Sequence, residues 1–248
     1  MDDIKVWRRG KRIELIARRV DLDAQVRRDW NARIDGFIER GFPLLANMVV
    51  GFCWPHRAEY DARFVAKHFR DRGALTALPA VVGKKTALEF RGWRPGVRMS
   101  KGVYDIPVPE GSDVVTPDAL IVPMIAFDEQ AYRLGYGGGY FDITLGAIAP
   151  KPLAIGVCYE LFRFGSLDPQ PHDIAMDFVV TENGIHVRRE GKLALFEAEQ
   201  CAEEATRLAC ERRLPRTQNL AHLRKSYSSP ACLASEIAPD YFGSEPEA

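Results

Sequence analysis

The segment 118-DALIVPMIAFD-128 narrows the choice of fold more than any other part of the chain. Apolar residues run through it without a break, whereas a strand with one wet face alternates apolar and polar side chains. Such a run is buried on both faces, which requires helices packed above and below a sheet. NMVVGFCW (47–54), ALTALPAVV (74–82), ALEFRGW (87–93) and PLAIGVCYE (152–160) read as further strands. Between the first two of these, AEYDARFVAKHFRDRG (58–73) has helical spacing at Tyr60, Phe64, Val65 and His68, with Gly73 placed to end it. The alternation predicts an α/β fold: a three-layer sandwich with a mostly parallel or mixed central sheet and helices on both faces. Pro123 inside the strongest strand marks an edge, a bulge or the end of regular pairing.

Around this centre the pattern is simpler. Residues from about Asp3 to Arg19 predict a basic amphipathic helix with Ile4, Trp7, Leu15 and Ile16 on one face, although Gly10 weakens it by about 1 kcal/mol relative to Ala. Asp21 is placed to cap a second helix through about Glu39, with Gly41 just past its end. MDFVVTENGIHV (176–187) reads as a hairpin turning at Asn183-Gly184. From about Lys192, LALFEAEQCAEEATRLACERR predicts a helix, and residues 214–248 form a tail rich in Ser, Pro and Ala that is expected to pack weakly. The organisation read from this is a domain over residues 1–192 and a C-terminal helix and tail over 193–248, with no internal repeat.

Charge excludes some functions. Lys+Arg and Asp+Glu both number 34, so the chain has no global attraction for nucleic acid or an anionic membrane. No apolar leader opens the sequence, and no apolar run approaches the roughly 20 residues that span a bilayer. Five cysteines without a Cys-x-x-Cys pair read as free thiols, and the five histidines lack metal-ligand spacing. The expectation is a cytoplasmic protein without nucleic-acid or membrane partners.

The stretch 133-RLGYGGGYFD-142 follows the strongest strand and precedes a short helix, about Tyr140–Ile148. Strand, glycine turn and helix suit phosphate: exposed N–H groups and the helix N-terminus face an anion, and absent side chains allow close approach. Gly137 and Gly138 are expected to adopt backbone angles that other residues avoid. Arg133 could add a bidentate phosphate contact, and Asp142 in the first helical turn could hold Mg²⁺ opposite the phosphates. The loop matches neither Gly-x-x-x-x-Gly-Lys-Ser/Thr nor Gly-x-Gly-x-x-Gly, and chemistry alone leaves phosphate binding and a plain tight loop both open.

The longer string VPMIAFDEQAYRLGYGGGYFD resembles the signature of the 5-formyltetrahydrofolate cyclo-ligases, also called 5,10-methenyltetrahydrofolate synthetases. In that family a strand ending in Pro-x-x-x-Phe-Asp precedes Arg-Leu-Gly-x-Gly-x-Gly-Tyr-Tyr-Asp. Weaker similarity covers about residues 4–190. The resemblance implies a three-layer α/β sandwich that uses MgATP to phosphorylate the formyl oxygen of 5-formyltetrahydrofolate, after which N10 attacks and phosphate leaves. It implies a nucleotide site of Arg8, Arg12, Arg133, Leu134, Gly135, Tyr136, Gly137, Gly138, Gly139, Tyr140 and Phe141, with Arg133 and Tyr140 nearest the chemistry. On the folate side it implies Trp54 and Glu59, with Tyr136 to Tyr140 shared between the two ligands. Asp142 and Asp173 resemble the Mg²⁺ carboxylates. The implied assembly is a monomer or weak homo-oligomer.

Several positions depart from the family pattern. Arg8 stands where the first helix has Lys in Lys-x-x-x-Arg, Phe141 and Ile143 replace Tyr and Arg of Tyr-Tyr-Asp-Arg, and Ala80 replaces a basic residue, with Lys84 and Lys85 just beyond. A plain structural role is also open to each residue outside the signature. Glu59 would open a helix, Arg8 and Arg12 would be a solvated face, Trp54 would be core and Asp173 would cap a turn. The departures leave two other functions in view: a non-catalytic folate- or nucleotide-binding protein, and an ATP-dependent ligase for another substrate.

Overall fold

The structure, a computed structural model, describes residues 2–215. In chain order its elements are α1 (Asp2–Val20), α2 (Ala24–Gly41), β1 (Val49–Phe52), α3 (Arg63–Arg70), β2 (Leu75–Ala80), β3 (Glu89–Gly92), β4 (Met99–Lys101) and β5 (Pro107–Pro109). There follow β6 (Val114–Val115), β7 (Ala119–Pro123), β8 (Ala126–Asp128), β9 (Arg133–Leu134), α4 (Tyr140–Ala147), β10 (Leu153–Val157), β11 (Arg163–Phe164), β12 (Phe178–Thr181), β13 (Gly184–Arg189), β14 (Lys192–Phe196) and α5 (Ala198–Glu211).

Nine strands form one mixed sheet in the order β14-β13-β12-β10-β7-β1-β2-β3-β6. The strands from β12 to β2 pair in parallel, and the strands beyond them on either side pair antiparallel. The parallel strands are the apolar runs, and β1, β7 and β10 are buried along nearly their whole length. Pro123 ends β7 opposite Val157, at the point where regular pairing stops. After it the chain leaves the main sheet and enters a small one, β11-β8-β9.

Topology decides where the helices lie. From β1 the chain steps one way along the sheet through α3 to β2, and from β7 it steps the other way through α4 to β10. Right-handed crossovers in opposite directions put α3 and α4 on opposite faces. Contacts of α2 with both α3 and α5 place those three helices together. The same reversal makes the carboxyl ends of β1 and β7 a topological switch point, where open α/β sheets bind ligands.

Three local expectations are corrected. Asp23 caps α2, its Oδ1 accepting from Gln25 N at 2.8 Å and Val26 N at 3.0 Å, and Gly41 is the last helical residue. Residues 192–196 are strand β14 and not the start of a helix: they pair with β13 from Arg189↔Lys192 to Ile185↔Phe196, and the expected boundary at 192/193 falls inside this strand. The helix after it, α5, buries Cys201, Ala205 and Ala209 in the common core. In the hairpin, Thr181 pairs with Gly184, so the turn is Glu182-Asn183 with Gly184 already in the strand. The tail read over 214–248 lies, beyond Pro215, outside the described residues.

Candidate active site

The chain segments that leave the carboxyl ends of β1 and β7 meet under one face of α1. Arg8, Arg12, Leu15 and Arg19 recur at helical spacing, so they share a side of the helix. Leu15 anchors that side in the core. Arg12 Nε donates to the carbonyl of Gly135 at 2.6 Å, and its guanidinium covers Gly137. Arg8 Nη2 donates to Asp173 Oδ2 at 2.7 Å and to the carbonyl of Asp168 at 2.9 Å.

The glycine loop uses backbone angles that glycine adopts freely and other residues avoid. Gly137 (φ 95°) and Gly139 (φ 68°) lie in the left-handed region, and Gly139 is the N-cap of α4 with no side chain capping the helix. Gly138 does not lie in that region, so the expectation for it is corrected. A Cβ there would instead press on the Tyr140 ring at 2.7 Å. The first-turn N–H groups of α4 therefore follow a backbone that is open at Gly135 and Gly139, with the Arg12 guanidinium over Gly137 and the Tyr140 ring beside Gly138. Leu134 is buried and Phe141 half-buried, with the Arg133 guanidinium 6.0 Å from the Phe141 ring centre.

Arg133 enters the loop from β9, nearly fully buried. Its Nη1 donates to the carbonyl of Ile174 at 2.7 Å. Its Nη2 makes an ion pair with Asp142 Oδ1 at 2.8 Å, and no geometrically regular hydrogen bond satisfies that buried nitrogen. Arg8 Nε is likewise buried without an acceptor. Burial pulls the Arg133 guanidinium below its ordinary value, against the nearby charge of Asp142. Burial and then Arg8 do the same to Arg12. Three guanidiniums thus face two carboxylates, and Arg12 has no carboxylate within ion-pair distance among the described residues. The cluster lacks one negative charge and has buried donors in excess, which is the condition for binding an anion.

The two aspartates bear on a metal. Asp142 Oδ1 accepts from Ile174 N at 2.9 Å and is ion-paired with Arg133. Asp173 Oδ2 accepts from Arg8 and Gln170 N. The other oxygens, Asp142 Oδ2 and Asp173 Oδ1, take no hydrogen bond from these donors. Among the described residues no group of three His, Cys, Asp or Glu could hold a metal. The pair fits Mg²⁺ of the kind that binds mainly through substrate phosphates with one or two carboxylates, and does not fit a cage built by the protein alone.

Glu59 closes the other side. It is buried at 7% exposure and does not open a helix, because α3 starts only at Arg63. It sits at the end of a turn whose Arg57 and Ala58 have φ of 48° and 57°. His56 N donates to Glu59 Oε2 at 3.1 Å, and Tyr136 Oη donates to Oε1 at 2.8 Å. Burial raises the Glu59 carboxyl, while Arg19 and the Tyr136 hydroxyl oppose it. Glu59 thereby touches the glycine loop through Tyr136. A crevice with room for little more than a water molecule is lined by Arg19, Glu59, Tyr60, Met124, Cys158 and Tyr159 among others. Burial pushes the Cys158 thiol up to about 12, so it is no nucleophile.

The sequence-read residues of the nucleotide side and Glu59 therefore gather in one place. The Trp54 ring is edge-on to Trp93 at 6.0 Å and carries the Arg63 guanidinium at 4.8 Å, and neither partner belongs to the glycine loop. Arg19 is a site residue that sequence reasoning missed. The signal was present in the spacing Arg8, Arg12, Arg19, which repeats one helix face.

Residues 4–182 match the model of the 5-formyltetrahydrofolate cyclo-ligase family. Similar to this chain are the 5-formyltetrahydrofolate cyclo-ligases of Mycolicibacterium smegmatis (30% identical over 117 residues, 44% of this chain and 60% of the relative) and of Escherichia coli K12 (36% over 69 residues, 27% and 38%). The aligned part of the chain thus spans less than two thirds of these relatives. Among solved structures, the NMR structure of Aquifex aeolicus 5,10-methenyltetrahydrofolate synthetase superimposes with a TM-score of 0.64 at 26% identity, covering 77% of this chain and 96% of that one. The Mycoplasma pneumoniae synthetase shares the fold at a TM-score of 0.58 and 16% identity, over 71% and 98%.

Proposed function

The chain belongs to the 5-formyltetrahydrofolate cyclo-ligase family, and from that premise we propose that it cyclises 5-formyltetrahydrofolate to 5,10-methenyltetrahydrofolate at the expense of ATP, releasing ADP and phosphate. The observation that carries this reading is the anion deficit around the glycine loop: Arg8, Arg12 and Arg133 against two aspartates, with two buried guanidinium N–H groups unused.

In this reading the backbone of Gly135 to Gly139 and the first turn of α4 cradle the nucleotide phosphates. Arg133 and Tyr140 face the transferring phosphoryl group, where the spare N–H of Arg133 neutralises charge as it develops. Arg8 and Arg12 hold the more distant phosphates. Leu134 and Phe141 flank the cradle, and Tyr136 to Tyr140 also line the folate side. Glu59 accepts hydrogen bonds from the pterin, and Trp54 offers it an apolar edge. The formyl oxygen attacks the γ-phosphorus and ADP leaves. N10 then adds to the activated carbon, and phosphate departs. Positioning supplies most of the acceleration, because the glycine loop and the turn bearing Glu59 hold the two reacting groups against each other. Mg²⁺ arriving with ATP would be held by Asp142 and Asp173 through the oxygens their arginines leave open, and would neutralise phosphate charge.

The test is direct. Purified protein with MgATP and 5-formyltetrahydrofolate should develop the methenyl chromophore with one ADP per turnover. Tight binding of either ligand without a chromophore would mark a non-catalytic binding protein. Phosphate release only with other formyl or carboxyl substrates would mark a different ligase.

A further inference from the structure

Arg19, in the last turn of α1, is 3% exposed and has a partner for each guanidinium nitrogen. Nε donates to the carbonyl of Arg57 at 3.0 Å, Nη1 to that of Met124 at 3.3 Å, and Nη2 to Tyr136 Oη at 2.7 Å. Nη2 also lies 3.6 Å from Glu59 Oε1, with both side chains 3% exposed. These partners belong to three separate segments. Arg57 is one of two consecutive residues in left-handed backbone, a conformation that persists only where its surroundings hold it. Met124 directly follows β7, and Tyr136 is inside the glycine loop.

We propose that Arg19 is a positioning residue for the cyclo-ligase reaction, fixing the 56–59 turn, the end of β7 and the glycine loop in one register. Glu59 then meets the folate while the loop meets the nucleotide. The inference rests on the function proposed above. It goes further in naming the residue that joins the two halves of the site, a role that Arg8 and Arg12 cannot fill because their contacts are confined to the loop and to segments after β11. Arg19 also opposes the effect of burial on the Glu59 carboxyl. The other groups facing that carboxyl are Tyr136 from the loop, His56 from its own turn and Cys53 after β1. Arg57 flanks it, and Tyr60, Cys158 and Tyr159 line the adjoining crevice. Arg19 is the cation in ion-pair contact with it.

The experiment uses the full chain and compares wild type with Arg19→Met, Arg19→Lys and Tyr136→Phe. It measures KM for 5-formyltetrahydrofolate and for ATP, the pH profile of kcat/KM, and a thermal melt. Arg19→Met should lower kcat/KM for the folate about 100-fold, the cost of a misplaced site, with a smaller change in KM for ATP. Without the cation Glu59 keeps its proton to higher pH, so the acid limb of the profile should move upward. Arg19→Lys keeps the charge but not the fork, so it should restore the limb while kcat/KM stays about 10-fold down. Tyr136→Phe removes one donor to Glu59 and should move the limb the same way by less, which keeps the test alive if Arg19→Met does not fold. An unmoved acid limb in all the folded variants, or a uniform loss of kcat at every pH that tracks the melt, would overturn the proposal. Absence of turnover in wild type would overturn the cyclo-ligase reading itself, which is a different result.

Discussion

Two arginine–aspartate arrangements in this molecule use the same chemistry to opposite ends. At the base of α5, Arg212 grips Asp177 with both Nη atoms, at 2.7 and 2.8 Å, while Lys151 and Ala154 N complete the carboxylate. Every oxygen lone pair that faces the protein is used. Burial alone would raise the Asp177 carboxyl, yet Arg212 and Lys151 outweigh it and hold the group below its ordinary range. Around the glycine loop the pairs are incomplete. Among the described residues, Arg133 Nη2 and Arg8 Nε are buried without a satisfying hydrogen bond, and Arg12 donates to a carbonyl and pairs with no carboxylate. A closed pair fastens an element; in the proposed function the open cluster of the same residues keeps its binding capacity for phosphates. The difference lies in donor–acceptor counting, since both sets are largely buried.

Breaking the closed pair should have the largest effect on the fold. Asp177→Ala strands Arg212 and Lys151 and should cost about 3 kcal/mol in denaturant unfolding. With its folded carboxyl below the unfolded value, Asp177 contributes stability that is present above about pH 4 and lost as pH falls through the folded value. The gap between wild type and variant should therefore close in acid, and a gap constant down to pH 2 would contradict the assignment. In the open cluster the balance reverses. Arg133→Gln should lower turnover about 100-fold, a loss typical of one donor to developing charge, while the melt moves far less than in Asp177→Ala. The smallest effect separates the glycines. Gly139→Ala places a methyl in open space but forces left-handed backbone, so it should cost about 1 kcal/mol and raise KM for ATP. Gly138→Ala has no such backbone strain and should act on turnover by displacing Tyr140. Equal melts for the two would show that φ at Gly139 is not what the loop requires.

Much of this contrast was legible in the sequence, and the rest was hidden for physical reasons. The uninterrupted apolar runs at 49–52, 119–123 and 153–157 imposed the parallel centre, because only helices on both faces can cover them. The glycine loop was legible through its resemblance to the family signature, since its chemistry alone left a plain tight loop equally open. Residues 192–196 were not, since KLALF runs without punctuation into a strong helical pattern, and pairing with β13 overrides local propensity. Glu59 looked like a helix-opening residue because the sequence does not mark the left-handed pair Arg57 and Ala58, which non-glycine residues rarely adopt. Arg19 was hidden by company: in a helix this basic, its burial is set by partners from three distant segments. Asp177 gave no signal at all, as its partners Lys151 and Arg212 lie 26 and 35 positions away.

The contrast between open and closed pairs is tested most directly by calorimetric titration of MgATP into wild type, Arg133→Gln and Arg212→Gln under conditions where all three are folded. If the loop cluster is an anion site waiting for phosphates and the Asp177 pair is a fastener, Arg133→Gln should weaken binding about 10-fold or more, and Arg212→Gln should bind as wild type does. Equal affinity in wild type and Arg133→Gln, or an equal loss in both variants, would contradict the account.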